Sequence, residues 1–181
     1  MALCALFLLV FFASELRAEE FLAASLGRRD SIRIMSRELA SAMKPWRIRN
    51  PIRKSTEYAR HIWDAHEIYS VDPFLITALI CVESEGRIDA RTHTRVGLMQ
   101  ISVQDNMQWI PNHFPHIKTV KDLMKLRNNV MVGTFILSTA MQGTRTTRQA
   151  LYKYLDREDE KQVDKMIDIV KRMNTAALAG I

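Results

Sequence analysis

The chain has little cysteine, glycine or proline, and each shortage excludes a class of protein. Two cysteines among 181 residues cannot form a disulfide framework, and no C-x-x-C pair is present for a zinc knuckle. Six glycines and five prolines, beside 48% hydrophobic residues, exclude a fibrous or an intrinsically disordered chain. The length predicts one domain, with at most one appendage.

The net charge of +6 is concentrated in one segment. Residues 28–60 hold ten bases against three acids, a local charge of +7, so the rest of the chain sums to −1. We interpret residues 19–54 as a basic arm, broken near its end by Pro45 and Pro51, that is attracted to an anionic surface. A solvated helix face followed by a linker is the alternative. No zinc-finger, basic-zipper or aromatic-interleaved RNA pattern accompanies the charge, so nucleic acid is not an expected partner.

The first 13 residues form an apolar run without a charged side chain. The run is shorter than the roughly 20 residues that span a bilayer, but it suits a secretory signal peptide with cleavage after Ala18. An uncleaved N-terminal anchor is the alternative. The sequence thus predicts an exported, periplasmic or cell-envelope protein with a signal peptide at residues 1–18, the basic arm, and one domain at residues 55–181.

Apolar residues recur at helical spacing, and no long stretch alternates with period two, so the pattern predicts an all-α domain. Ser55 or Thr56 can cap a helix that runs to about Tyr69. At most one short hairpin is expected, within residues 87–104, and residues 102–118 look irregular. Four further helices are predicted, at residues 120–126, 129–141, 147–155 and 158–173.

The segment from Asp72 to Gly86 predicts a helix buried on every side. Asp72 suits the N-cap and Pro73 the first helical position. Residues 74–82 are apolar almost all round, which indicates burial on all faces, and Gly86 is a natural stop. Within this helix Cys81 reads as a buried small hydrophobe rather than a nucleophile, because no histidine partner is evident.

Glu83 stands at the C-terminal end of that helix, with no other charged residue between Asp72 and itself. Desolvation by apolar neighbours and the negative end of the helix dipole should both raise the pKa of its carboxyl. A carboxylic acid that stays protonated near neutral pH is suited to general acid catalysis. The alternative is a solvated helix end formed by Glu83, Glu85 and Asp89.

The wider motif resembles the soluble lytic transglycosylase (SLT) family, lysozyme-like enzymes that cleave bacterial peptidoglycan. The resemblance rests on Asp72-Pro73-Phe74-Leu75, then Val82-Glu83-Ser84, then Gly97-Leu98-Met99-Gln100-Ile101. Fainter similarity follows at residues 129–137 and 150–154. The resemblance implies a lysozyme-like, mainly α domain, with a short hairpin or an irregular loop after the catalytic helix.

The resemblance assigns roles residue by residue. Glu83 matches the catalytic acid and base of the family. The positions that match substrate contacts are Ser84 beside it, Leu98 and Met99 of the apolar wall, the amide of Gln100, and Tyr154, the aromatic that faces the glutamate. Three departures stand out: Thr92 replaces the usual Ser, Arg95-Val96 replaces small residues, and Leu155 replaces the Asn that follows the tyrosine.

The resemblance implies a single-carboxylate mechanism that cleaves the β-1,4 bond between N-acetylmuramic acid (MurNAc) and N-acetylglucosamine (GlcNAc) and leaves 1,6-anhydromuramoyl ends. One alternative is a hydrolytic, lysozyme-like muramidase in which Asp89 or Asp105 holds water. Another is a non-catalytic peptidoglycan-binding module, motivated by the change after Tyr154. A basic nucleic-acid binder is the weakest alternative.

No metal or organic cofactor is expected, since the five histidines lack an H-E-x-x-H arrangement and read as structural or surface residues. The expected partner is the peptidoglycan glycan strand, with a secretion or flagellar assembly of the envelope as a further possibility. We expect a monomer.

Overall fold

Helices make up most of the described chain, and a two-stranded antiparallel sheet joins them. The computed structural model describes residues 26–180, so the expected signal peptide at residues 1–18 lies outside them. The prediction of an all-α domain with at most a short hairpin is confirmed for this part of the chain. None of its helices has both the length and the apolar character needed to cross a membrane.

The helices and strands are numbered here in chain order. They are α1 (Arg28–Ala42), a 3-10 turn (Lys44–Trp46), α2 (Pro51–Tyr69), α3 (Pro73–Glu83), β1 (Arg95–Val96), β2 (Ile101–Ser102), α4 (Val103–Asn106), α5 (Ile110–His113), α6 (Val120–Leu123), α7 (Leu126–Gln142), α8 (Thr147–Leu155) and α9 (Glu160–Leu178).

Helix α3 lies at the centre of the core, as its apolar sequence predicts. The carboxylate of Asp72 accepts a hydrogen bond of 2.8 Å from the backbone N–H of Phe74, which caps the helix at its start. Every residue from Pro73 to Cys81 is buried, and α1, α2 and α9 pack around them. Each large side chain among them contributes about 1.5–3 kcal/mol by leaving water, so the position of α3 is strongly fixed.

Residues 28–42, which the charge pattern predicts to lie in a basic arm, form helix α1 and share the core of the domain. Ile34, Met35 and Leu39 are buried, because they recur on one face of the helix while the arginines occupy the other. Arg28 also forms an ion pair of 2.8 Å with Asp64 of α2. Four of the ten bases of residues 28–60 thus lie on the exposed face of a packed helix, namely Arg28, Arg29, Arg33 and Arg37.

Several boundaries differ from the sequence expectation: α6 ends at Leu123, α7 begins at Leu126, and α9 runs to Leu178 instead of residue 173. Helix α2 begins at Pro51, four residues before Ser55, because proline is well suited to the first helical position and Asn50 adopts a left-handed conformation before it. Ser55 is buried and donates to the backbone carbonyl of Ile52. The stretch expected to be irregular contains the short helices α4 and α5.

The hairpin predicted within residues 87–104 is present, with Arg95 paired to Ser102 and Val96 to Ile101. Asn129 of α7 ties it to the helices. Its Oδ1 accepts from the backbone N–H of Met99 at 2.8 Å, and its Nδ2 donates to the carbonyls of Val96 and Leu123. A Cβ on Gly97 would lie 2.2 Å from the Asn129 amide, so glycine is required at this close approach.

We expect Asn129→Ala to lower the free energy of unfolding by about 2–4 kcal/mol, since it leaves buried backbone groups without partners. Urea denaturation followed by circular dichroism measures the change. Asn112→Ala, at an exposed position of α5, should change the value by less than about 0.5 kcal/mol. Equal effects of the two substitutions would show that Asn129 does not tie the hairpin to the core.

Candidate active site

Glu83 is the last residue of α3, and the chain turns sharply directly after it. Ser84 ends the helix, and its hydroxyl donates to the carbonyl of Ile80 at 3.0 Å. Glu85 and Gly86 both have positive φ, +53° and +73°. A Cβ on Gly86 would come within 2.9 Å of the Met43 side chain, so glycine allows this turn to pack against the end of α1.

The carboxyl of Glu83 is almost enclosed, with 4% of the side chain exposed. Gln162, in the first turn of α9, donates a hydrogen bond from its Nε2 to Oε1 of Glu83. The guanidinium of Arg157, which lies between α8 and α9, is 3.8 Å from the same oxygen. Residues far apart in the sequence therefore meet at this carboxyl.

Burial raises the pKa of the Glu83 carboxyl above its ordinary value, and Asp159 adds to the rise. Arg157, Arg95 and the hydrogen bond from Gln162 act in the opposite direction. The desolvation prevails because the carboxyl is enclosed, whereas the Arg157 side chain is 46% exposed and its charge is partly screened by water. The rise in the pKa of Glu83 agrees with the expectation from the sequence.

Tyr154 connects α8 to the loop that contains Met99. Its hydroxyl donates to the backbone carbonyl of Met99 at 2.7 Å, and its ring is buried. Burial and the nearby Glu83 charge raise the pKa of this phenol, so it stays protonated and remains a hydrogen-bond donor.

Gln100 holds the loop after β1 in shape. Its Nε2 donates to the carbonyls of Ala90 at 3.2 Å and Gly97 at 2.8 Å, and its backbone has a positive φ of +47°. Both amide hydrogens thus have partners within the protein. Arg95 reinforces the same region, since its guanidinium donates to the carbonyls of Gln100 and Leu155.

A cavity of about 270 Å³ opens beside this loop. Of the residues expected to contact substrate, all of which are buried, Gln100 and Tyr154 line the cavity, whereas Ser84, Leu98 and Met99 do not. Its other lining residues, which include four charged groups that sequence reasoning did not place together, are Arg95, Ile101, Ser102, Asp105, Asn106, Ile136, Lys153 and Asp156. Glu83 lies outside this lining.

The two carboxylates considered as water-holding groups have different surroundings. Asp105 lines the cavity and accepts a hydrogen bond from the hydroxyl of Ser102. Asp89 is exposed. Burial raises the pKa of Tyr58, and the charges of Glu57 and Asp89 add to the rise. Within residues 26–180, no group of three or more His, Cys, Asp or Glu side chains is arranged to hold a metal ion.

Arg157 and Gln162 are the site residues that sequence reasoning missed. The sequence indicates them only indirectly, because they follow Tyr154 in the region where the chain departs from the family pattern.

Cys81 is buried, as expected, and burial raises the pKa of its thiol, which keeps it unreactive.

The raised pKa of Glu83 predicts how stability depends on pH. A carboxyl whose pKa is higher in the folded state stabilises the protein below its unfolded pKa, and that contribution is lost as the pH rises through the folded pKa. The Tm of Glu83→Gln should therefore exceed that of the wild type by a few degrees at neutral pH, and the difference should shrink toward about pH 4.

Thermal unfolding at several pH values measures this difference. Glu85→Gln is the matched control, because Glu85 is exposed and two residues away. A Tm difference for Glu83→Gln that does not change with pH contradicts the raised pKa.

Comparison with known proteins agrees with this geometry. The family model described as the transglycosylase SLT domain matches residues 61–163, a range that contains α3, the hairpin, Tyr154 and Gln162. A search of curated proteins finds no match. Since the family model covers more than half of the chain, the chain belongs to the transglycosylase SLT domain family and has its lysozyme-like domain, which indicates in general a peptidoglycan-cleaving function of the lytic transglycosylase type.

Proposed function

We propose that this protein is an active lytic transglycosylase that cleaves the MurNAc-GlcNAc β-1,4 bond of peptidoglycan with Glu83 as its single acid and base. The observation that carries the proposal is the enclosed carboxyl of Glu83 at the end of a buried helix, with its pKa raised. A raised pKa keeps the carboxyl in the protonated form that a general acid needs.

In the proposed reaction, the Glu83 carboxylic acid gives its proton to the glycosidic oxygen as the bond from C1 of MurNAc to that oxygen breaks. GlcNAc leaves with a free hydroxyl at C4. The oxygen of the MurNAc C6 hydroxyl then attacks C1, and the Glu83 carboxylate accepts the hydroxyl proton. The product is a 1,6-anhydro ring, and Glu83 ends in its starting protonation state without consuming water.

The loop around Gln100 supports the site in this proposal. Gln100 and Tyr154 both line the cavity, and their hydrogen bonds to backbone carbonyls hold its wall in place. Arg95, Lys153, Asp105 and Asp156 give the cavity polar groups of both signs, which suit a substrate with hydroxyl, acetamido and carboxylate groups.

A hydrolytic muramidase is the second candidate, and Asp105 is the observation in its favour. In hydrolytic glycosidases a second carboxylate activates the attacking water molecule, and Asp105 is a carboxylate that lines the cavity. The two candidates differ in their products: anhydromuramoyl ends for the transglycosylase, and reducing ends for the muramidase.

Digestion of purified peptidoglycan tests the proposal. We expect the wild type to release anhydromuramoyl products, identified by mass spectrometry as lighter by one water than hydrolysis products. Glu83→Gln should reduce the rate by about 10²–10⁴-fold, because the variant can neither donate nor accept the proton. Glu85→Gln should keep its activity within about twofold, as expected for a surface substitution away from the reacting groups.

Two results would contradict the proposal. If Glu83→Gln digests the wall at the wild-type rate, Glu83 is not the acid. If the wild type binds the wall without releasing any fragments, the protein is a non-catalytic binding module.

We further propose that the protein is exported and acts on peptidoglycan in the periplasm or cell envelope. It would act there in wall turnover or in opening the wall for a secretion or flagellar assembly. The apolar run at residues 1–13 and the small residue Ala18 support export.

The intact mass of the protein recovered from the envelope fraction tests this proposal. Cleavage predicts a chain that begins at Glu19. A full-length chain that fractionates with membranes would show an anchor instead, and a full-length chain in the cytoplasm would contradict export.

A further inference from the structure

The turn between α8 and α9 covers the carboxyl of Glu83 through a chain of hydrogen bonds. Arg157 donates from Nη2 to Oε1 of Gln162 at 2.6 Å, and Gln162 donates from Nε2 to Oε1 of Glu83. The backbone N–H of Arg157 donates to the carbonyl of Tyr152, which seats the turn on the end of α8. Arg157 therefore fixes the amide of Gln162 against the glutamate.

This arrangement leaves Glu83 inaccessible to a glycan. A proton donor must come within about 2.6–3.2 Å of the oxygen that it protonates. The Gln162 amide binds one oxygen of Glu83, 4% of the side chain is exposed, and the neighbouring cavity does not include the residue in its lining. A glycosidic oxygen can reach the carboxyl only after the Gln162 side chain has moved.

The parts of this turn differ in how firmly they are held. Leu155, at the end of α8, is fixed because its carbonyl accepts from Arg95 at 2.8 Å. The backbone of Gln162 is fixed at the start of α9, since its N–H donates to the carboxylate of Asp159. Arg157 lies between these points with half of its side chain in solvent, and its ion pair with Asp159 is long, at 3.9 Å. Movement is therefore easiest at Arg157 and in the side chain of Gln162.

We propose that Arg157 and Gln162 form a latch that holds the site closed, and that the release of Arg157 frees the Gln162 side chain and admits the glycan strand to Glu83. This inference rests on the proposed role of Glu83 as the acid. It adds a restraining contact supplied by residues 156–162, which comprise the turn between α8 and α9 and the first residues of α9.

Chemical labelling of carboxyls measures access to Glu83 without relying on activity. The full-length protein is treated with a water-soluble carbodiimide and glycine ethyl ester, and the labelled residues are identified by mass spectrometry. The labelling rate is measured at several pH values in every variant, so that the effect of a changed pKa of Glu83 is separated from the effect of access. Circular dichroism verifies that each variant is folded.

We expect Arg157→Ala and Gln162→Ala each to label Glu83 about fivefold faster or more, because both shift the population toward the open arrangement. Lys161→Ala, at an exposed position next to Gln162 on α9, should label it at the wild-type rate. Exposed Glu57 of α2 is the internal reference and should react equally in all four proteins. If Glu83 is labelled at the wild-type rate in both Arg157→Ala and Gln162→Ala, the proposal is overturned.

Peptidoglycan digestion by the same proteins gives the second measurement. An open site predicts digestion about threefold to tenfold faster in Arg157→Ala and Gln162→Ala than in the wild type. Slower digestion in both variants would overturn the restraining role. Faster labelling without digestion by any of the proteins would leave the latch standing and reject the proposed function of Glu83, so the two failures are distinguishable.

Discussion

The burial of helix α3 is the constraint on which the candidate site depends. The helix lies among α1, α2 and α9, so the residue at its C-terminal end is carried to the edge of the core instead of into open solvent. Glu83 is that residue. Its raised pKa follows from the position, because the core that stabilises the fold also removes water from the carboxyl. Burial of an ionisable carboxyl therefore costs stability at this residue while it tunes the group for acid chemistry, a trade-off that is common at functional sites.

The surrounding residues hold the loop beside the candidate site in place. Asn129 and Tyr154 bind opposite sides of the Met99 backbone, at its N–H and its carbonyl. Gln100 and Arg95 fix the neighbouring turn through backbone carbonyls. The side chains that form the wall of the cavity thus already have hydrogen-bond partners within the protein, which restrain the wall before a ligand binds.

Some of these features followed from local sequence alone. The cap at Asp72, the burial of α3 and the short hairpin were predictable, because each depends on neighbouring residues. The basic segment was harder to interpret. Its arginines are conspicuous in the sequence, whereas the apolar stripe of α1 becomes meaningful only when α2, α3 and α9 are present to cover it. The charged residues of α1 therefore suggested a solvated arm, although the opposite face of this helix lies in the core.

The sequence by itself determined the helical class, the family resemblance and the identity of Glu83 as the candidate acid, because helix patterns and the Glu-Ser and Gly-Leu-Met-Gln motifs are short and local. The tertiary structure decided what surrounds that acid. Arg157 and Gln162 lie more than 70 residues further along the chain, and their contact with Glu83 depends on how α8, α9 and the turn between them pack over the end of α3. Contacts of this kind arise from the packing of whole helices, which no local pattern of residues specifies.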